Sequence, residues 1–224
     1  MSLTEHRDLI QGSDEWLEAR RGLVTASVVG KLLTASTIKP ASNDDSRGLT
    51  ILLAAERITG WTEPTFMTSD MMRGVEDEPR ARDLYSEHYS PVRESGFMVR
   101  DDWGFRIGYS PDGLVGDDGL IEVKSRRAKG QLQTILTNDV PRFNMAQLQC
   151  GLLVSGREWI DYISYAGGMP LFVKRVLPDP RWHEAIVAAV SQLEDAIADV
   201  VRVYEEATKG LPVAERMDDL EMAL

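Results

Sequence analysis

The sequence predicts an α/β protein with a mixed β-sheet flanked by helices. Three observations carry this. Apolar residues recur at helical spacing in the first third, alternate with a period of two from about residue 92 to 125, and return to helical spacing afterwards. The resulting order is helices, three strands, helices, two strands, helix, which calls for a sheet packed by helices. Hydrophobic residues make up 43% of the 224, enough for a filled core, and 27% charged residues suit an ordered soluble chain.

Each element follows from local chemistry. "SDEWLEAR" (13–20) opens with a Ser cap and early acids, so it reads as a short helix. A second helix is expected from Thr25 through Leu33. Residues 34–47, polar with one proline, read as a loop. "LTILLAAERITG" is helical and stops at Gly60. Residues 69–89 read as a longer helix that either begins near Pro79 or kinks there. "VRESGFMVR", "FRIGYS" and "GLIEVKS" read as three successive strands joined by turns. Helices are expected at 128–137 and 142–154, then strands in "EWIDYISYA" and "LFVKRVLP". Residues 180–208 form a long amphipathic helix. There is no internal repeat.

Composition excludes several classes. One cysteine, Cys150, leaves no disulfide framework, four-cysteine zinc site or iron–sulfur cluster. The first residues lack a signal pattern, and no apolar run reaches the roughly 20 residues needed to cross a bilayer. A cytoplasmic location is therefore expected, with no membrane partner. The net charge of −11, with 36 acids against 25 bases, counts against a nucleic-acid binder. Net charge does not say where bases cluster, however, and a metal-dependent nuclease needs acids in its site.

The stretch "SPDGLVGDDGLIEVKS" (110–125) holds the chemistry. Asp112 lies in a Pro–Gly turn, and Glu122 and Lys124 share one face of a strand. Taken singly, these are a turn cap and a solvent-facing ion pair worth about 0–1 kcal/mol. Together, a hairpin could bring Asp112 beside Glu122 within one metal's coordination shell. Mg²⁺ needs only one or two carboxylates plus substrate phosphate and water. Lys124 could orient or deprotonate an attacking water and stabilise phosphate charge.

Asp112 followed by Glu122-Val123-Lys124 resembles the signature of the PD-(D/E)xK nuclease superfamily. "EWLEARRGLVTAS" (15–27), "RGVEDEPRARDLY" (73–85) and "NMAQLQCGLLVSG" (144–156) narrow the resemblance to the lambda exonuclease, or YqaJ-like viral recombinase, family. It implies a restriction-endonuclease-like core and one exonuclease domain over 1–224: a motif-bearing part at 12–156, C-terminal strands and helix at 157–208, and a tail at 209–224. The implied activity is Mg²⁺-dependent 5′-to-3′ digestion of linear double-stranded DNA, with two metal ions and Mn²⁺ able to substitute. The implied setting is phage-type recombination in a bacterial host cell, by a phage- or prophage-encoded homotrimer that works with a single-strand annealing protein.

Residue by residue, the resemblance assigns Asp112, Glu122 and the Val123 main-chain carbonyl to the metals. It adds Glu78 directly or through water, with Glu76 and Asp77 as neighbouring alternatives. Lys124 and Gln147 complete the catalytic group. Arg20, Ser27 and Ser110 form a 5′-phosphate pocket, with Arg21 as the alternative to Arg20. The plain readings of these blocks are a dipole-favoured acid near a helix start, a helix cap in a charged loop, and satisfied buried amides at Gln147 and Gln149. Cys150, Trp16 and Tyr85 read as packing. Two rival functions remain: a structure- or site-specific endonuclease of the same superfamily, and a catalytically inactive DNA-binding or assembly protein.

Overall fold

The structure, a computed structural model, describes residues 2–64 and 66–216, so the end of the expected tail, 217–224, lies outside the described residues. The elements in order are β1 (Leu3–His6), α1 (Asp14–Arg20), β2 (Val24–Thr25), α2 (Ala26–Val29) leading into a 3-10 turn (Gly30–Leu32), β3 (Leu33–Thr34), β4 (Lys39–Pro40), α3 (Asp44–Thr59), α4 (Ser69–His88), β5 (Phe97–Arg100), β6 (Ile107–Tyr109), β7 (Gly113–Val115), β8 (Gly119–Ser125), α5 (Ala128–Thr137), α6 (Arg142–Ser155), β9 (Trp159–Tyr165), β10 (Phe172–Val176) and α7 (Pro180–Ala207). Among the described residues no helix is long and apolar enough to cross a membrane.

The architecture is mixed α/β, as expected. The strands sort into two four-stranded mixed sheets, ordered β1-β5-β6-β2 and β10-β9-β8-β7, with β3 and β4 as a small hairpin. In the second sheet β8 runs parallel to β9 and antiparallel to β7. The three strands around the motif therefore do not form a simple meander. "FRIGYS" and "GLIEVKS" belong to different sheets, and the short β7 stands between them. Asp112 occupies the crossover from one sheet to the other.

Two other expectations shift. Helix α3 starts at Asp44, inside the expected loop. A reciprocal capping box between Asn43 and Ser46 nucleates it, and the β3–β4 hairpin takes up much of the preceding polar stretch. Helix α4 runs unbroken through Pro79, which is solvent-exposed, so water can serve the carbonyl that proline leaves unpaired.

One apolar cluster joins both sheets to α3, α6 and α7. Helix α7 supplies Trp182, Ile186, Val190, Leu193 and Ile197 from one face, the amphipathic stripe read from the sequence. Helix α6 is buried along most of its length and lies against β6 and β9. Cys150 on α6 is fully buried, and burial pushes its thiol pKa up. On the same helix Gln149 is held by the Leu177 carbonyl and the Asp179 N–H, so it is structural. Tyr85, also buried, donates to Asp161 at 2.7 Å.

Gly151 of α6 lets the Tyr109 ring lie flat against the helix, since a Cβ there would stand 2.8 Å from that ring. Gly151→Ala should therefore overpack the contact, at a cost of about 1–3 kcal/mol. Thermal denaturation should show a melting temperature lower by several degrees, and an unchanged value would show that the ring has room to move.

Candidate active site

Glu122 lies in the middle of β8 and is 1% exposed. A buried carboxylate needs hydrogen-bond donors to stay charged. Lys124 Nζ donates to its Oε1 at 2.7 Å, Gln147 Nε2 donates to the same oxygen, and the Tyr109 hydroxyl donates to Oε2 at 3.3 Å. Strand alternation puts Lys124 on the face of Glu122, and the first half of α6 brings Gln147 over it. The expected solvent-facing pair is thus a largely buried one.

Asp112 meets Glu122 through the backbone. Its Oδ2 accepts the Val123 N–H at 2.7 Å. β7 pairs with β8 only as far as Ile121, so the Asp112 side chain takes up the next open N–H on that edge. In an extended strand a residue's N–H and C=O point to the same edge, so the Val123 carbonyl faces the Asp112 side as well.

Glu78 approaches from α4. Its Oε1 accepts Arg82 Nη2 at 2.8 Å. Glu76 is exposed, and Asp77 accepts from Ser125 at 2.7 Å, so Glu78 is the acid of the three that senses the cluster. A cleft of about 400 Å³ opens here, lined by Glu78, Arg82, Pro111 and Asp112 among others.

The electrostatics match the geometry. Burial pushes the Asp112 pKa well above the carboxylate range, and the Glu122 and Glu78 charges add to that. Burial also raises Glu78, opposed by Arg82 and reinforced by Glu122. For Lys124 burial works against the charge, yet Glu122 and Asp112 outweigh it and raise the pKa. In these surroundings Lys124 is an ammonium, a donor rather than a base.

Among the described residues no three acids, histidines or cysteines close into a complete metal cage. Mg²⁺ does not require one, because it keeps waters and accepts substrate oxygens. Asp112 and Glu122 are hard oxygen donors held together in a place where burial, and then like charge, raises the Asp112 pKa, and a divalent cation suits that donor set. The residues present fit the metal.

The second predicted group also converges. Arg20, in the last turn of α1, stacks on Trp16 with its guanidinium 4.0 Å from the ring centre. Its Nη2 donates to Thr25 at 3.2 Å and Ser27 at 3.4 Å, and its Nη1 to Ser110 at 3.5 Å. Trp16 Nε1 donates to the same Ser110 hydroxyl at 2.9 Å. Burial lowers the Arg20 pKa to about 10, partly opposed by Glu56, so it stays charged at neutral pH. Arg21 lines a different cavity, with Arg57 and Arg106. The turn that follows them is set by Gly22 at φ +66°, whose N–H is held by Glu56 at 2.7 Å and whose carbonyl is held by Arg57 at 2.9 Å.

Sequence reasoning missed Tyr109, Arg82, Thr25 and the role of Trp16. Tyr109 and Thr25 stand immediately beside assigned residues, one before Ser110 and two before Ser27. Trp16 is half-buried against Leu23 and Phe97, and it is a platform for Arg20 rather than only packing.

Comparison with known proteins bears on the family and the fold. Residues 15–158 match the family model of the YqaJ-like viral recombinase domain. The fold is similar to an alkaline exonuclease, LHK-Exo, from Laribacter hongkongensis, at 30% identity and a TM-score of 0.77, covering 89% of this chain and 100% of that one. The same exonuclease in complex with dAMP gives a TM-score of 0.78 at 30% identity, with the same coverage. A phage-related exonuclease from Haemophilus somnus 129PT shares the fold, at 14% identity and a TM-score of 0.62 over 81% of this chain and 96% of that one. No curated protein matches the sequence.

The raised Asp112 pKa has a sign that can be tested. A group whose folded pKa lies above its unfolded value, about 3.9 for Asp, stabilises fully below that value. The contribution is lost as pH rises through the folded pKa. Without divalent cation, Asp112→Asn should therefore melt higher than wild type at pH 8, with the gap narrowing as pH falls. Mg²⁺ should raise the wild-type melting temperature more than the variant's. A variant that melts lower at pH 8 would show that burial and the neighbouring charges do not destabilise the carboxylate.

Proposed function

The chain belongs to the YqaJ-like viral recombinase domain family, and from that premise we propose that it digests linear double-stranded DNA from its 5′ ends with Mg²⁺, leaving 3′ single strands for recombination. It is a nuclease of the phage exonuclease type. The observation that carries the finer reading is the adjacency of two groups. Tyr109 contacts Glu122, and its neighbour Ser110 contacts Arg20. A pocket suited to a phosphate thus stands one residue along the chain from a contact of the carboxylate cluster.

Asp112, Glu122 and the Val123 carbonyl would hold the metal, with Glu78 in support. When bound, the metal supplies an activated water and neutralises charge at the phosphate. Lys124 stabilises the negative charge that builds on the phosphoryl oxygens. Gln147 keeps Glu122 oriented and presents its amide to the site. Arg20 holds the terminal 5′-phosphate by its fork, with Ser27 and Ser110 as hydroxyl partners. The bond broken is phosphorus to O3′, which releases a 5′-mononucleotide and leaves a new 5′-phosphate on the strand. In this reading the protein is a homotrimer around duplex DNA and passes the 3′ strand to an annealing protein.

Lys124→Ala should lower nucleotide release by about 10²–10³-fold. Chelation should abolish release, and covalently closed circles should stay intact. Release from closed circles would move the reading to an endonuclease.

Duplex with 5′-phosphate ends should be digested faster than the same duplex with 5′-hydroxyls. Arg20→Ala should erase that preference while Arg21→Ala retains it. Equal wild-type rates on both ends would remove the pocket. Sedimentation should give three times the 25.0 kDa chain mass, and a processive monomer would overturn the ring.

A further inference from the structure

β8 carries its functional side chains in a row. Glu122, Lys124 and Arg126 follow at every second residue, and the Arg126 N–H continues the ladder by bonding the Tyr165 carbonyl at 2.7 Å. Side chains so spaced share one face and stand about 6.6–6.8 Å apart along the strand. That step is comparable to the separation of consecutive phosphates in a nucleic-acid strand. Helix α6 lies over the row in matching steps. Gln147 reaches Glu122, and Asn144, nearly one turn earlier, reaches Arg126.

Arg126 is positioned without being neutralised. Its Nη2 donates to Asn144 Oδ1 at 2.6 Å and to the Tyr162 hydroxyl at 3.0 Å, and both partners are uncharged. Among the described residues it forms no ion pair, and its Nη1 makes no hydrogen bond. The next arginine along, Arg127, and Arg73 on α4 both pair with Asp70. The Arg126 guanidinium lies 5.1 Å from the centre of the Phe143 ring. Phe143 is 67% exposed, a large aromatic surface turned to solvent beside the row. A fixed unpaired cation next to an open aromatic face is the combination that binds a single-stranded nucleotide.

We propose that Arg126 and Phe143 clamp the nucleotide that follows the scissile phosphate on the strand being degraded, Arg126 by the phosphate on that nucleotide's 3′ side and Phe143 by its base. The clamp rests on the exonuclease reading above. In that reading the phosphate on the 5′ side of the scissile one is the terminal phosphate at Arg20, which leaves the 3′ side for Arg126. Each phosphate then passes from Arg126 to the carboxylate cluster and on to Arg20, one step per nucleotide removed.

The test uses 5′-phosphorylated duplexes with one uncharged methylphosphonate, either at the linkage after the first scissile phosphate or several linkages further in. Release of the first nucleotide is followed in a single turnover with Mg²⁺. The adjacent methylphosphonate should slow wild type roughly 10- to 100-fold, the range for losing a charged hydrogen bond, and the distant one should not. Arg126→Ala should be slow on every substrate and lose no more on the adjacent one, while Arg126→Lys keeps part of the sensitivity. An abasic site at the clamped nucleotide should slow wild type but not Phe143→Ala, whose outward side chain the fold does not need. Wild type indifferent to the adjacent methylphosphonate overturns the clamp and leaves the exonuclease reading standing, even if Arg126→Ala does not fold. Full sensitivity in Arg126→Ala also overturns it. No release from the unmodified duplex overturns the exonuclease reading, and the clamp with it.

Discussion

A carboxylate taken out of water must be met by donors, and the arrangement of this molecule turns on how Glu122 is met. Its two oxygens draw on β8 itself through Lys124, on α6 through Gln147, and on the other sheet through Tyr109. Removing one partner from a buried charged pair commonly costs about 3–5 kcal/mol, because the other charge is left stranded. The relative positions of β6, β8 and α6 are therefore tied to one side chain. Gly151 belongs to the same constraint, since only a bare backbone lets Tyr109 lie close enough to α6.

Much of this was legible in the sequence, for reasons that differ by residue. Helices α1, α5, α6 and α7 and strands β5, β8, β9 and β10 show their period over enough residues to be read. β2 and β7 are too short to show a period; β2 exists through its distant partner β6, and β7 through the tight hairpin it makes with β8. Asp112, Glu122 and Lys124 were legible because a motif is local. Arg82 and Tyr109 were not, because an arginine on a helix and a tyrosine in a buried strand look like any other until the fold brings them to Glu78 and Glu122. The choice between Arg20 and Arg21 was likewise outside the reach of sequence. It shows only in the fold, where Arg20 meets Ser110, Thr25 and Ser27 while Arg21 faces a different cavity, just before the left-handed Gly22 that α3 holds through Glu56 and Arg57.

The negative net charge, which weighs against a nucleic-acid enzyme on composition alone, has a different meaning in three dimensions. Many acids are committed to arginines away from the cluster, as in Asp161 with Arg175, Glu194 with Arg57, and Asp70 with Arg73 and Arg127. Arg20 and Arg126 are held by hydroxyls, an amide and aromatic rings instead, and among the described residues neither forms an ion pair. What matters for a polyanion is the number of bases without an internal counter-ion, and a sum over the whole sequence hides it.

Cys150 has a practical side. It is the sole cysteine, and it is sealed in α6 with a thiol that burial keeps protonated. Thiolate is the reactive form, so maleimides and oxidants should pass the native protein by. The wild-type chain is thus already a cysteine-light background for spectroscopy. A single cysteine placed at an exposed position such as Leu136 on α5 would carry the only reactive dye or spin label, with no need to rebuild the interior first.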